Sequence, residues 1–259
     1  MTSPVEVKIL SPHSDLSFVS GWYELASDSH FWMAGRLAAV LRQFKNNGIP
    51  VDKDLKGLEI GCGEGVLRAQ LEKHSRWTID GCDLDLASLK NNPSARGEVF
   101  LYDIFQRAGF LHHHYDFIIL FDVIEHIEDV PAFMDASLFH LKSGGFVFIN
   151  VPALHSLYSN YDTVVGHHRR YDKGMMTEQL TKCGLEILHL NYWGLSFLPM
   201  LQLRKRLLRN ADPDTVVQKG FRPPGAIMNA ILKGMIRLEV SLMPDPVLGT
   251  SLMAIARKR

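Results

Sequence analysis

Hydrophobic and polar positions change their period twice along the chain. Between residues 21 and 47, Trp22, Leu25, Phe31, Trp32, Leu37, Val40, Leu41 and Phe44 recur at mixed three- and four-residue spacing, which predicts helix. Asn46-Asn47-Gly48-Ile49-Pro50 ends it. Residues 1–20 show no period and read as irregular. From Gly57 onward short apolar runs alternate with helical ones. Strands are predicted at 57–60, 77–82, 98–101, 115–121 and 146–151, with helices at 66–73, 85–91 and 131–141. Residues 115–121 and 146–151 are nearly all apolar, as parallel strands covered on both faces are. Such alternation implies an α/β fold with a doubly wound parallel sheet.

Past Val151 the alternation stops. Residues 152–172 form a polar stretch rich in Tyr, His and Arg, of a length that suits a functional lid. A helix at 175–182 ends at Cys183-Gly184, and 185–193 reads as a strand. Helices follow at 197–208 and 226–243, with polar residues 209–224 between them. Pro199 fits the first only within its opening turn. The apolar run 248–256 predicts a last strand.

Composition narrows the class. With 259 residues the chain suits one large α/β domain. Lys plus Arg equals Asp plus Glu at 28 each, which argues against a broad nucleic-acid footprint, so no nucleic acid is expected. Residues 1–10 carry Glu6 and Lys8 and no apolar stretch, so they do not read as a signal peptide. No run of 18 apolar residues predicts a membrane span. Three cysteines without CxxC spacing read as reduced thiols, and the expected location is cytoplasmic.

The chemistry begins at Glu59-Ile60-Gly61-Cys62-Gly63-Glu64-Gly65, a strand running into a glycine turn and a helix. Glycine permits the tight turn and lets backbone approach a ligand. A dinucleotide turn wants glycines at positions 1, 3 and 6; here they fall at 1, 3 and 5, and Val66 takes the sixth place. Glu59 repels a pyrophosphate but can anchor an ammonium. Asp83 ends the strand 77–82 and is placed to accept from ribose hydroxyls. Asp85 competes for that role but reads as a helix N-cap. Asp103 follows the third of these strands and reads either as an adenine contact or as a solvated turn residue.

In this order the elements resemble the class I S-adenosylmethionine-dependent methyltransferase superfamily, in its ubiquinone/menaquinone-type branch. Leu58–Gly65 resembles the first motif, Asp83 the ribose acid, and Asp103 the adenine contact. Phe121-Asp122-Val123-Ile124-Glu125-His126-Ile127 resembles the fourth motif, and Leu141-Lys142-Ser143-Gly144-Gly145 the turn before the next strand. The resemblance covers roughly residues 30–195. It implies a seven-stranded Rossmann-like sheet whose last strand is antiparallel, with an N-terminal helical segment and a helical insertion, 196–243, between the last two strands. Residues 1–259 then form one domain: helical cap 1–50, cofactor-binding half 51–151, acceptor-side loop and helix 152–184, and final strands 185–259. The implied cofactor is S-adenosylmethionine, leaving S-adenosylhomocysteine as product. Its expected contacts are Glu59, Gly61, Cys62, Gly63, Asp83, Leu84, Asp103, Ile104, Asp122 and Val123. His30-Phe31-Trp32-Met33-Ala34-Gly35-Arg36 is similar to an aromatic helix of that branch, which would turn Arg36 onto the methionine carboxylate; the alternative is an exposed helix arginine.

The acceptor, a small molecule, belongs beyond the carboxyl ends of the strands. Residues 158–171 hold Tyr161, Asp162, His167, Arg170 and Tyr171, groups that donate, accept or titrate near neutral pH. Gly166-His167 with Arg170-Tyr171 resembles a bacterial subgroup of these methyltransferases, and Arg170 is placed to pair with Asp162. His126 and His167 are the candidate general bases; for His126 the alternative is a packing residue. His112-His113-His114 reads as a surface turn, and no metal is expected. The insertion 196–243 reads first as a packed cap, then as a dimer face or as a surface for a membrane or lipid-like molecule; monomer and homodimer both fit. Two other readings compete: a non-catalytic cofactor-binding module, and an NAD-dependent oxidoreductase, against which Glu59 and Val66 count.

Overall fold

The computed structural model describes residues 5–12, 30–93, 95–220, 225–243 and 245–259. Eight strands build one sheet: β1 (Val7–Ile9), β2 (Lys56–Ile60), β3 (Thr78–Asp83), β4 (Val99–Leu101), β5 (Tyr115–Phe121), β6 (Leu141–Pro152), β7 (Leu185–Trp193) and β8 (Ser251–Lys258). Their order is β1-β4-β3-β2-β5-β6-β8-β7. Only β8 runs against its neighbours, inserted between β6 and β7. The last strand is thus antiparallel, as expected. The eighth strand, β1, lies in the stretch read as irregular. Three residues on a sheet edge are too few to display a period of two.

The helices are α1 (Phe31–Asn46), α2 (Val66–Lys73), α3 (Leu86–Lys90), α4 (Val130–Phe139), α5 (Asn160–Val164), α6 (Lys173–Lys182), α7 (Leu198–Leu207), α8 (Pro213–Gly220) and α9 (Ala226–Leu242). Helix α1 realises the first predicted helix from Phe31 on; Trp22 and Leu25 fall outside the described residues. Pro199 does sit in the opening turn of α7. Helices α5 and α8 occupy stretches read as loop. Helix α5 is nucleated by a reciprocal box, Ser159 and Asp162 each bonding the other's backbone.

Alternate residues of β5 feed two cores. Ile118 and Leu120 pack with α4 and α6 on one face. Phe117, Ile119 and Phe121 join Phe44, Trp77 and Phe148 under α1 on the other. Both faces are covered, which is why β5 is apolar throughout. Helix α9 closes over α1 at Gly35, where a Cβ would stand 2.9 Å from Ile236 Cγ1. Buried Glu239 on α9 accepts from the backbone N–H groups of Gly194 (2.7 Å), Leu195 (3.0 Å) and Ser196 (2.7 Å). These bonds pin α9 to the end of β7.

Strand order reverses between β2 and β5. Successive strands step outward from β2 through β3 to β4, then restart beside β2 with β5. At such a switch point the loops leave in opposite directions and open a crevice at the carboxyl ends of the strands.

Candidate functional site

The loop after β2 faces the loop after β5 across this crevice. Gly61, Gly63 and Gly65 have φ of 73°, 50° and 68°, the left-handed region. A Cβ on Gly61 would lie 2.6 Å from Val123 Cγ2, and one on Gly65 would lie 1.8 Å from Asn92 Oδ1. The 1-3-5 glycine spacing therefore has a local cause: three left-handed residues, two of them hard against neighbours.

A cavity of about 750 Å³ opens beside the glycine loop, within the range of small-molecule sites. It brings together much of the expected set. Glu59, Gly61, Cys62, Gly63, Arg36 and Asp122 line one part. His126, Tyr161, His167 and Arg170 line another. Leu84, Asp103, Ile104 and Val123 lie outside the lining, as do Asp83, Asp162 and Tyr171. Asp83 stands behind the glycine loop, accepting from the N–H groups of Gly63 (2.8 Å), Leu84 (2.7 Å) and Asp85 (3.0 Å). Burial pushes its carboxyl up, against those three bonds. Asp85 is the N-cap of α3, as its position suggested. Asp103 caps a short 3-10 turn through Phe105 N–H, and its own N–H donates to Ser11 Oγ.

Arg36 is not the exposed helix arginine of the alternative reading. It is 6% exposed, and its Nη1 donates to Asp122 Oδ2 at 2.8 Å. Asp122 sits at φ 58° and also accepts from Asn150 Nδ2 at 2.8 Å. Asn150 Oδ1 in turn accepts from Trp193 Nε1 at 2.8 Å. This chain of bonds runs across the carboxyl ends of β5, β6 and β7 and fixes the guanidinium at the cavity wall. Arg36 Nε is buried and finds no acceptor. A buried N–H without a partner costs roughly 1–3 kcal/mol, a cost that an anion at Arg36 would relieve. Glu59 is buried beside it and accepts from Arg68 N–H at 3.1 Å. Burial pushes its carboxyl up to about 7, with Arg36 and Arg68 opposing. A cation placed against Glu59 would restore its ionised form.

The second half is built on α5 and the residues after it. Asp162 is fully buried. It accepts from Arg170 Nε at 2.8 Å and pairs with His167 Nδ1 at 2.9 Å. Burial alone would raise its carboxyl; the His167 hydrogen bond and the Arg170 charge outweigh that and hold it at about 2. Asp162 and Arg170 thus pair as the sequence suggested. Since Asp162 is ionised, His167 Nδ1 is the donor of that bond, and Nε2 is left as the ring's second nitrogen. Tyr161 lies under the Arg204 guanidinium, 4.1 Å from its carbon. Tyr171 is wholly buried, donates to Ile124 O at 3.4 Å, and braces the loop against Ala153; it is a packing residue.

His126 stacks edge-on against His167, ring centres 4.7 Å apart. Burial first, then the neighbouring His167, lower its imidazole to about 4, so it is neutral near pH 7. Glu125 is legible in its motif, yet nothing in the sequence gives it a role. It is fully buried, neither of its oxygens accepts a hydrogen bond, and His167 Nε2 stands 3.9 Å away. Burial pushes its carboxyl well above the usual range, with the Asp122 charge adding to it. Glu125, His126 and His167 together present ligand atoms within 4.8 Å of one another. The triplet His112–His114 is a surface turn, its first two rings exposed. The three cysteines are free thiols, and burial pushes those of Cys62 and Cys82 well up.

A family model described as a methyltransferase domain matches residues 29–190. The chain belongs to that family. Solved structures agree on the fold, which is that of the class I S-adenosylmethionine-dependent methyltransferases. A phosphoethanolamine N-methyltransferase 2 from Haemonchus contortus, in complex with S-adenosyl-L-methionine, is 20% identical with a TM-score of 0.55, covering 86% of this chain and 52% of its own. This chain thus spans about half the length of that enzyme. A sarcosine dimethylglycine methyltransferase assignment from Galdieria sulphuraria is 17% identical at 0.56, over 88% and 85% of the two chains. The [4+2]-cyclase SpnF is 15% identical at 0.56, over 85% and 80%. No curated protein matches the sequence. The Haemonchus contortus structure holds S-adenosyl-L-methionine, and the residues present here fit that molecule: the unpartnered Arg36 Nε suits the methionine carboxylate and Glu59 its ammonium.

Proposed function

We propose that the chain transfers the methyl group of S-adenosylmethionine to an oxygen, nitrogen or carbon of a small-molecule acceptor with an apolar body, and that His167 is the general base. Bound at the glycine loop, the cofactor supplies an electrophilic methyl group on a sulfonium. Arg36 and Glu59 hold its amino-acid end, and Asp83 is the ribose acceptor once its own backbone partners are shared. Arg170 and Tyr161 orient the acceptor. His167 Nε2 takes the acceptor's proton, and ionised Asp162 stabilises the imidazolium that results. The single supporting observation is that His167, paired with Asp162 at 2.9 Å, lines the same cavity as the cofactor loop. The acceptor class, a metabolite, sugar or lipid or quinone precursor, is suggested by Met200, Leu203, Leu207 and Met228 at the far wall.

Thermal shift tests the cofactor assignment. S-adenosylmethionine and S-adenosylhomocysteine should raise Tm, and NAD should not, because only a ligand of the native state stabilises it. Stabilisation by NAD alone would return the oxidoreductase reading. Turnover of a panel of hydroxyl, amine and quinol acceptors separates an enzyme from a non-catalytic module, and His167→Gln should abolish it without weakening cofactor binding.

A second reading is favoured by the bare carboxylate of Glu125. With His126 and His167 it would ligate a divalent transition cation, contrary to the metal-free expectation, and the cation would polarise an acceptor oxygen. Asp162 on His167 Nδ1 is then the orienting partner such ligands need. Activity that survives dialysis against a chelator and ignores added zinc or manganese rejects this reading.

A further inference from the structure

Helix α9 has two faces, and one of them is exposed among the described residues. On α9, Leu232, Ile236 and Glu239 are buried against the domain. Ile227, Ile231, Met235, Leu238 and Leu242 point away, between 41% and 82% exposed. At roughly 100° per residue these five fall within an arc of about 80° and extend about 22 Å along the helix. Helix α7 repeats the arrangement with Met200, Leu203 and Leu207, 38%, 55% and 71% exposed. Those three, with Met228 of α9, also line the cavity. Exposed apolar residues of both helices therefore wall the cavity on one side.

Charge says what covers it. Residues 196–243 carry eight Lys and Arg against three Asp and Glu, in a chain whose total is zero. Arg206, Arg209 and Arg237 are exposed. A twofold dimer through this face would bring two such cationic segments together, and like charges oppose that. An anionic bilayer supplies both complements, hydrocarbon for the stripe and phosphate for the arginines.

We propose that α7 and α9 form a docking surface for an anionic membrane, which seats the domain with that side of the cavity against the lipid. No helix among the described residues is long and apolar enough to cross a membrane, so the contact is peripheral. It rests on the helix faces and their charge, not on methyl transfer, and its consequence is that an acceptor with a long apolar tail reaches the cavity from the bilayer.

Sedimentation with vesicles tests it. The full chain should pellet with vesicles of phosphatidylcholine plus phosphatidylglycerol and far less with phosphatidylcholine alone. The pair Ile231→Asp and Leu238→Asp, and separately Arg206→Gln and Arg237→Gln, should each lower partitioning on the order of tenfold or more. Cofactor-induced thermal shift should be unchanged in both. A wild-type chain that stays in the supernatant with phosphatidylglycerol overturns the proposal. So does a sedimentation-velocity dimer that Leu238→Asp dissolves, since the stripe would then be an interface between copies. Loss of cofactor binding with vesicle binding intact would count against the methyltransferase reading alone.

Discussion

Replacing Asp162 with Asn should be felt first in stability. Its carboxyl lies at about 2, against an ordinary 3.8. At about 1.36 kcal/mol per unit, the ion pair and hydrogen bonds contribute about 2 kcal/mol. The folded value is depressed, so this contribution is fully present above the unfolded value and is lost as pH falls toward 2. Between pH 5 and 8 it should be constant. The amide of Asp162→Asn would keep an acceptor for Ser159 but leave the Arg170 guanidinium, 3% exposed, with only Ala153 O at 3.2 Å. An uncompensated buried charge pushes the cost upward from that figure. For a domain of this size Tm should fall by about 4–8 °C. Calorimetry at pH 5, 7 and 8 measures it. A change under about 1 °C, or a gap that widens between pH 8 and pH 5, would refute the charged-pair account.

Three further outcomes follow from the site. Arg36→Gln keeps a donor for Asp122 but removes the unpartnered Nε, so S-adenosylhomocysteine should bind at least about tenfold more weakly by calorimetry; unchanged affinity would sink the carboxylate assignment. Gly61→Ala forces a Cβ onto Val123 at φ 73°, which should cost about 1–2 kcal/mol in denaturant unfolding and distort the cofactor loop; an unchanged midpoint would mean the loop relaxes freely. Glu59, held at about 7 without ligand, should lose its proton when the cofactor's ammonium arrives. Binding should then release a proton near pH 6 and weaken up to about tenfold per unit as pH falls below 7; calorimetry in buffers of different ionisation enthalpy reads this, and buffer-independent heats would contradict it.

Much of this molecule is written locally. The apolar runs of β5 and β6, the glycines at 61, 63 and 65, and the acids at 59, 83 and 122 lie in order along one alternating pattern; that pattern selects the fold class, and the order carries the resemblance that implies the cofactor. The Asp162–Arg170 pair was also within reach, being eight residues apart on one loop. The box that starts α5, Ser159 with Asp162, was readable but overshadowed by the polarity around it. Other features have no local signature. Strand β1 is too short to show a period, and it becomes a strand only because β4 offers an edge. Arg36 and Asp122 are 86 residues apart, and Glu125 looks like any carboxylate in a loop. Only the packed tertiary structure buries Glu125 without a partner and sets Arg36, its Nε unpartnered, at the cavity wall. Likewise, α9 is amphipathic by sequence, but its sequence does not say which apolar residues are covered. Ile236 meets Gly35 while Leu238 meets solvent, because burial depends on what the rest of the chain brings to each side of the helix.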